Sequence, residues 1–235
     1  MARAESRIRG RAAGLLAVCA LVWSIPGAGW AEEAERLREA VDVLEQIMAV
    51  PENEIPPALL RDAAGIAIVP GVIKVGFVIG GRHGKGVVSV RGSDGQWSAP
   101  AFLSLTSGSV GWQIGAQSTD VVLVFKSRRG IDGIVDGKFT LGADAAVAAG
   151  PVGRNASAAT DTSLKAEVYS YSRSRGLFAG VSLEGSALEI DAAANSAYYG
   201  AGTGAGAILA GELPQLPAEA DALRTALARA VDAAP

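Results

Sequence analysis

His83 is the one histidine of this 235-residue chain, and Cys19 is its one cysteine. A zinc site, a Cys-His pair or a Ser-His-Asp triad would therefore have to use these two residues. Cys19 lies in an apolar N-terminal stretch, and His83 lies between two strand-like runs with no second imidazole in the chain. The sequence thus predicts no metal site and no cofactor, and we expect a protein that is not an enzyme.

Two glycine-rich segments match nucleotide-binding loops only in part. A P-loop has Gly-x-x-x-x-Gly-Lys followed by Ser or Thr. In residues 80–86, Ile79 stands where the first glycine should be and Gly86 replaces the hydroxyl. Residues 202–207 fit the dinucleotide fingerprint by letter, but an Ala-rich helical stretch precedes them where a strand is needed. We therefore expect no nucleotide ligand.

The remaining charged residues divide into carboxylates and two local basic groups. Asp144, Asp161 and Glu184 are candidates for an acid–base pair, but no spacing brings two together, and turn caps or salt bridges explain them. A net charge of −3 without a basic run is unfavourable for binding nucleic acid, because lysines and arginines that neutralise phosphates dominate that affinity. Local basic groups can bind lipid phosphates, and solvated strand ends are the alternative. One group surrounds residues 74–91, and the other comprises Lys126, Arg128 and Arg129.

Residues 1–31 have the layout of a secretory signal peptide. Arginines precede an apolar stretch over 12–25, and small residues lead to a cut between Ala31 and Glu32. The apolar stretch is short for a membrane-spanning helix. We expect an exported, periplasmic protein, with an uncleaved N-terminal anchor as the alternative. Residues 32–235 are then long enough for a single domain without disulfides.

The elements that position these residues follow from periodicity. Apolar residues at spacings of three and four predict amphipathic helices over 32–50 and 217–232. Between them, alternating runs rich in glycine predict strands that follow one another without regular helices, which favours antiparallel pairing. The expected fold class is α+β, with a β-rich, mainly antiparallel Gly-rich sheet body, an N-terminal amphipathic helix and C-terminal helices. The predicted strands are 65–69, 72–80, 86–91, 121–126, 138–148, 165–173 and 177–188, followed by a short helix to Tyr199 and a flexible segment over 200–206.

Several ordered blocks between residues 64 and 200 resemble the SYLF domain family. They include GIAIVP at 65–70, GQWSAPAF at 95–102, GWQIG at 111–115 and GLFAGVSLEG at 176–185. Asn195 and Tyr198-Tyr199-Gly200 close the match. The other matching blocks are 74–77, 80–81, 109–110, 150–154, 160–161 and 171–174.

The resemblance implies a domain without catalytic activity that binds lipid or amphiphile. Eukaryotic members of this family are associated with phosphoinositide membranes and some with actin, but neither is an expected partner in a bacterial envelope. Phospholipid contact in that envelope is the function that the resemblance implies for this chain. The alternative is an envelope structural or protein-interaction module without lipid dependence.

The N-terminal helix departs from the family pattern in its charge. Some eukaryotic members bind membrane through a basic N-terminal segment, whereas residues 32–45 here carry six acidic side chains against Arg36 and Arg38. An acidic face is repelled by anionic lipid. We therefore expect this helix to pack on the domain through Leu37, Val41, Leu44 and Met48. The predicted lipid-binding residues are instead those of a basic hairpin over residues 74–91, with nearby aromatics: Lys74, Arg82, His83, Lys85, Arg91, Trp97 and Phe102.

Overall fold

The computed structural model describes residues 28–51, 54–152, 166–174, 177–178 and 183–232. At residues 28, 75–79, 109–117 and 177–178 it describes the backbone alone. The predictions that concern residues 1–27, the family blocks at 153–154 and 160–161, and the carboxylate of Asp161 lie outside these ranges.

The described residues form six helices. The predicted helices at both ends are confirmed, although the first begins four residues earlier than expected. Three helices were not predicted. One covers residues 57–61, one follows Ser127 directly and contains Arg128 and Arg129, and one begins inside the segment that was expected to be flexible. The helices are α1 (Ala28–Met48), α2 (Pro57–Arg61), α3 (Arg128–Val135), α4 (Ala192–Tyr199), α5 (Ala205–Ala210) and α6 (Ala218–Asp232).

The described strands form one sheet built on a long antiparallel hairpin of β1 and β2. The other edge of β2 pairs with β7 near its N-terminal end and with β5 near its C-terminal end. Only the β4–β5 pair is parallel among the described strands, so the mainly antiparallel sheet is confirmed. The strands are β1 (Gly65–Val90), β2 (Ala101–Phe125), β3 (Lys138–Thr140), β4 (Val147–Ala149), β5 (Val168–Ser174), β6 (Leu177–Phe178) and β7 (Ala187–Ile190).

Strand β1 folds back so that its two ends lie side by side. The Arg91 N–H donates to the Ala64 carbonyl at 2.9 Å. A Cβ atom at Gly86 would stand 2.3 Å from the Ile68 carbonyl oxygen, so only glycine allows this approach. The runs predicted as separate strands 65–69, 72–80 and 86–91 are therefore one strand, and the curled hairpin holds the body of the sheet together.

Alternation along these strands gives the sheet two buried faces. Ile68, Val122 and Val124 point to one face, which α1, α4 and α6 cover. Their chain neighbours Val121 and Leu123 point to the other face, which is packed by α3 and α5. Because both faces are covered, the sequences of the central strands are nearly continuous apolar runs.

Helix α1 packs on the domain as its apolar stripe predicted. Leu37 and Leu44 are fully buried, and Val41 and Met48 pack against the same core while partly exposed. Its acidic side chains face outward, except for the buried Glu33. Arg229 of α6 contacts Glu45 of α1 at 3.1 Å, which joins the two helices at their C-terminal ends. Helix α1 is thus a structural element of the domain.

Candidate functional site

The middle of the hairpin extends from the sheet as a two-stranded arm, which we define as residues 73–82 of β1 and 107–118 of β2. Ile73 pairs with Ser118 at its base and Arg82 with Ser107. Within the described part of the chain, these segments form strand pairs with each other alone. A register shift after Gly76 places three residues of β2 opposite one of β1, which bends the arm.

The composition of the arm differs from that of the rest of the chain. Neither of its strands contains an aspartate or glutamate, although the whole chain has a net charge of −3. Lys74 and Arg82 are its cations, and both are partly exposed. Ile73 is 53% exposed, one of two large apolar side chains that are exposed among the described residues. The arm therefore combines positive charge with accessible apolar surface.

His83 and Lys85 lie at the base of the arm. His83 is exposed and pairs with Thr106 across the hairpin. The Lys85 ammonium lies 3.3 Å from a carboxylate oxygen of Glu32 in α1. The structure thus brings four of the predicted residues, Lys74, Arg82, His83 and Lys85, to the arm and its base.

Arg91 stabilises the end of the hairpin at which the β1–β2 turn lies. Its guanidinium donates to the carbonyls of Leu60, Arg61 and Gly95, at 3.2, 2.6 and 3.0 Å. It also lies over the Trp97 ring, 5.8 Å from the ring centroid. These contacts occupy the side chain in joining α2 to the β1–β2 turn, so its role is structural.

Trp97 and Phe102 lie in the core, where a membrane surface does not reach them. Trp97 is 4% exposed and Phe102 is fully buried. The Phe102 ring packs edge-on against Tyr198. The backbone N–H of Phe102 donates to Oδ1 of the buried Asn195 at 2.9 Å. Arg36 of α1 and Tyr198 of α4 cover Phe102. Arg91 lies over the Trp97 ring, so neither aromatic is exposed as the predicted lipid contact requires.

Helix α1 places negative charge beside Lys85 at the base of the arm. Arg36 and Glu33 form a buried ion pair, and Arg36 also donates to Glu32 at 2.9 Å. Burial raises the pKa of the Glu33 carboxyl above its ordinary value, and the nearby Arg36 lowers it by less. The remaining acidic side chains of this helix are exposed: Glu32, Glu35, Glu39, Asp42 and Glu45.

The described residues contain no cluster suited to a metal ion. No group of three histidine, cysteine, aspartate or glutamate side chains among them could hold a metal ion. Asp144 accepts a hydrogen bond from the Thr140 N–H at 2.7 Å, which is the turn-capping role that the sequence predicted. Among the described helices, none is both long and apolar enough to cross a membrane.

One signal for the arm was present in the sequence but was not used. Ile73 was assigned to a strand, although it stands beside Lys74 in a segment without acidic residues. Apolar and basic residues alternating without acids are typical of segments that contact an interface. Its exposure depends on where β1 leaves the sheet, which local periodicity does not reveal.

Comparison with known proteins identifies relatives of this domain. The sequence model described as "Ysc84: Las17-binding protein actin regulator" matches residues 106–230. "Protein YSC84" of Saccharomyces cerevisiae is 40% identical over 182 residues, which cover 76% of this chain and 39% of the yeast protein. "SH3 domain-containing YSC84-like protein 1" of Homo sapiens is 38% identical over 191 residues, or 81% of this chain and 55% of the human protein.

The chain therefore spans about two-fifths of the yeast relative and about half of the human one. The match covers most of β2, all of α3 to α5, and α6 as far as residue 230. This match confirms the resemblance to the SYLF domain family, and the matching sequence model is described as an actin regulator. With more than half of its length matched, this chain belongs to the Ysc84 family, the family of the SYLF domain.

Proposed function

We propose that this protein binds anionic phospholipid surfaces in the bacterial cell envelope, without catalysis, and that the arm makes the contact. The observation that carries the proposal is the acid-free arm with Lys74, Arg82 and the exposed Ile73 on an otherwise acidic chain. Segments that lie at a membrane interface combine apolar side chains with lysine and arginine in this way. The layout of residues 1–31 supports export as the route to the envelope.

The expected affinity is modest and depends on salt. Each lysine or arginine close to an anionic leaflet contributes about 1 kcal/mol. The two cations of the arm, with Lys85 and His83 at its base, therefore support reversible adsorption and not permanent anchoring. The attraction decays over a Debye length of about 8 Å at physiological ionic strength, so added salt weakens it.

The acidic face of α1 determines which side of the protein approaches the lipid. Glu35, Glu39 and Asp42 are exposed and repel an anionic surface. Docking through the arm keeps this face in solvent. Charge therefore favours one orientation and disfavours the interfacial use of α1.

A protein-interaction module is the second candidate, and the comparisons favour it. A yeast relative that is 39% identical over 187 residues is called "LAS seventeen-binding protein 3". The arm has strand edges to which an extended peptide of a partner protein could add by β-augmentation. In this role binding would not depend on lipid charge.

Co-sedimentation with vesicles separates these candidates. The chain used begins at Ala28, because α1 begins there and the apolar N-terminal stretch would itself partition into vesicles. Binding should rise with the anionic fraction, fall with salt, and drop about tenfold or more in the double variant Lys74→Glu with Arg82→Glu.

A charge-matched control is available in α3. The double variant Arg128→Glu with Arg129→Glu changes the net charge equally at exposed side chains outside the arm. It should retain most of the binding. Equal losses in both double variants would remove the arm as the contact. Absence of binding to every vesicle, together with a partner captured from envelope extract by the arm, would favour the second candidate.

A further inference from the structure

A groove that no residue of the arm lines lies between the β1–β2 turn and helix α6. Two adjoining cavities form it, with volumes of about 450 and 330 Å³. Trp97 and Arg224 line both cavities and so mark the junction. Both volumes fall within the range of small-molecule binding sites, about 300–1,000 Å³.

The larger cavity is charged but locally neutral. Arg91, Arg224 and Arg229 contribute positive charge, and Asp94, Asp221 and Asp232 contribute equal negative charge. A purely anionic or purely cationic ligand would meet repulsion as well as attraction here. A zwitterionic group, with a phosphate beside a quaternary ammonium, matches both signs.

The smaller cavity has an apolar part beside polar side chains. Leu209, Leu213 and Leu216 form one wall, and Ala99 lies on the other side. Leu213 and Leu216 are partly exposed, so apolar surface is accessible to a ligand. A single alkyl chain is the group that this cavity suits, because its transfer from water needs no polar partner.

The side chains at the junction have hydrogen-bonding capacity that their described contacts do not use. The Arg224 Nε–H donates to the Trp97 carbonyl at 2.8 Å, and Nη1 lies 3.6 Å from Asp221. A guanidinium has five N–H donors, so further donors can serve a phosphate. The buried Trp97 indole N–H has no acceptor among the described residues, which is rare for a buried donor.

We propose that this groove binds a zwitterionic single-chain amphiphile of the lysophospholipid class. Arg224 contacts the phosphate, an aspartate of the larger cavity contacts the ammonium, and the alkyl chain lies along the leucines. This site differs from the arm, since it recognises one dispersed molecule and not a surface. It requires no anionic lipid.

Isothermal titration with a short-chain lysophosphatidylcholine, below its micelle-forming concentration, tests the site without any membrane. The chain beginning at Ala28 should bind it saturably. Arg224→Gln should weaken binding about tenfold or more, as expected for loss of a charged hydrogen bond. Leu213→Asp should weaken it at the other cavity, and Arg38→Gln, an exposed arginine of α1 outside the groove, should leave it unchanged.

Two fragments of the ligand separate the contributions of its parts. Laurate supplies a chain with a simple anion, and glycerophosphocholine supplies the head without a chain. Both should bind more weakly than the intact amphiphile. Equal binding of laurate would overturn the zwitterionic assignment. Undetectable binding of lysophosphatidylcholine would overturn the proposal. So would an affinity in Arg224→Gln and Leu213→Asp equal to that of the unmodified chain, provided that both variants melt cooperatively.

Discussion

The Lys85 ammonium at the base of the arm lies 3.3 Å from the Glu32 carboxylate of α1. The same carboxylate accepts a hydrogen bond from Arg36 at 2.9 Å. Glu32 therefore connects the acidic helix to the basic end of the hairpin and partly neutralises it. Both members of the Lys85–Glu32 pair are well exposed, so its contribution to folding is small, about 1 kcal/mol or less.

Replacing Glu32 by glutamine should strengthen binding to anionic vesicles. The change removes one negative charge and releases Lys85 toward the lipid, which corresponds to up to about fivefold at low salt. Glu45 provides the matched control, because it is also exposed and also pairs with an arginine, Arg229. Vesicle co-sedimentation measures both. A Glu45→Gln effect as large as that of Glu32→Gln would indicate general charge reduction and contradict this role of Glu32.

Arg91→Ala should destabilise the protein without a specific effect on vesicle binding. The change removes donors to three carbonyls and the contact with Trp97, and we expect a loss of about 2 kcal/mol or more. Arg91→Lys should recover little of the lost stability, because a lysine ammonium does not reproduce the planar set of guanidinium donors. Denaturant titration measures the stability. Reduced vesicle binding by a fully folded Arg91→Ala would instead support the lipid contact first predicted for this residue.

Gly86→Ala should be among the most destabilising single-methyl additions in the chain. The added Cβ would stand 2.3 Å from the Ile68 carbonyl oxygen and 2.8 Å from the Cα of Val69. Overpacking of this kind costs about 1–3 kcal/mol, and backbone neighbours cannot move aside cheaply. Gly108→Ala is the control, because nothing lies within 4 Å of its Cβ position. Equal melting temperatures for the two variants would refute the fold-back of β1.

The stability of the protein should respond to pH through Glu33. Burial raises the pKa of this carboxyl, so the folded state holds its proton more tightly than the unfolded state. Its favourable contribution is complete below the ordinary value of about 4.5 and is lost as pH rises through the folded-state value.

The variant Glu33→Gln isolates this effect. Its stability relative to the unmodified chain should increase as pH rises from 4.5 toward neutrality. Thermal melts across that range provide the measurement. A constant difference between the two proteins, or one that shrinks with pH, is inconsistent with a raised pKa.

The residue at which the chain begins should affect stability through Trp30. Its ring stacks on Tyr198 with centroids 5.8 Å apart, and it packs against the core. A chain that begins at Glu32 lacks this ring and should lose about 1 kcal/mol relative to one that begins at Ala28. Trp30→Ala in the longer chain should reproduce the loss. Identical melting of all three proteins would show that the stack contributes nothing.

The helices could be predicted because their signals are local. The spacing of Leu37 and Leu44 in α1, and of Leu223 and Leu227 in α6, follows the helical period, and all four are buried. The fold class and family followed from the same kind of local pattern. By contrast, the 26-residue length of β1 was not evident, because Pro70 and its glycines resemble breaks between strands.

The site could be predicted only in part because burial depends on distant contacts. Phe102 is covered by α4, whose Asn195 follows it by 93 residues. Arg91 bonds to carbonyls that precede it by about thirty residues. Sequence spacing identified the basic hairpin but did not separate its exposed cations from the side chains that hold its ends together.

A dye on the arm tests the central claim most directly. The chain that begins at Ala28 contains no cysteine, so Gly108→Cys gives a single labelled site on the arm, and Ala222→Cys gives one on the exposed face of α6. With a polarity-sensitive dye, anionic vesicles should shift the emission of the arm label to the blue and leave that of the α6 label unchanged. Neutral vesicles should shift neither. A shift of the α6 label alone, or of both labels equally, would contradict docking through the arm.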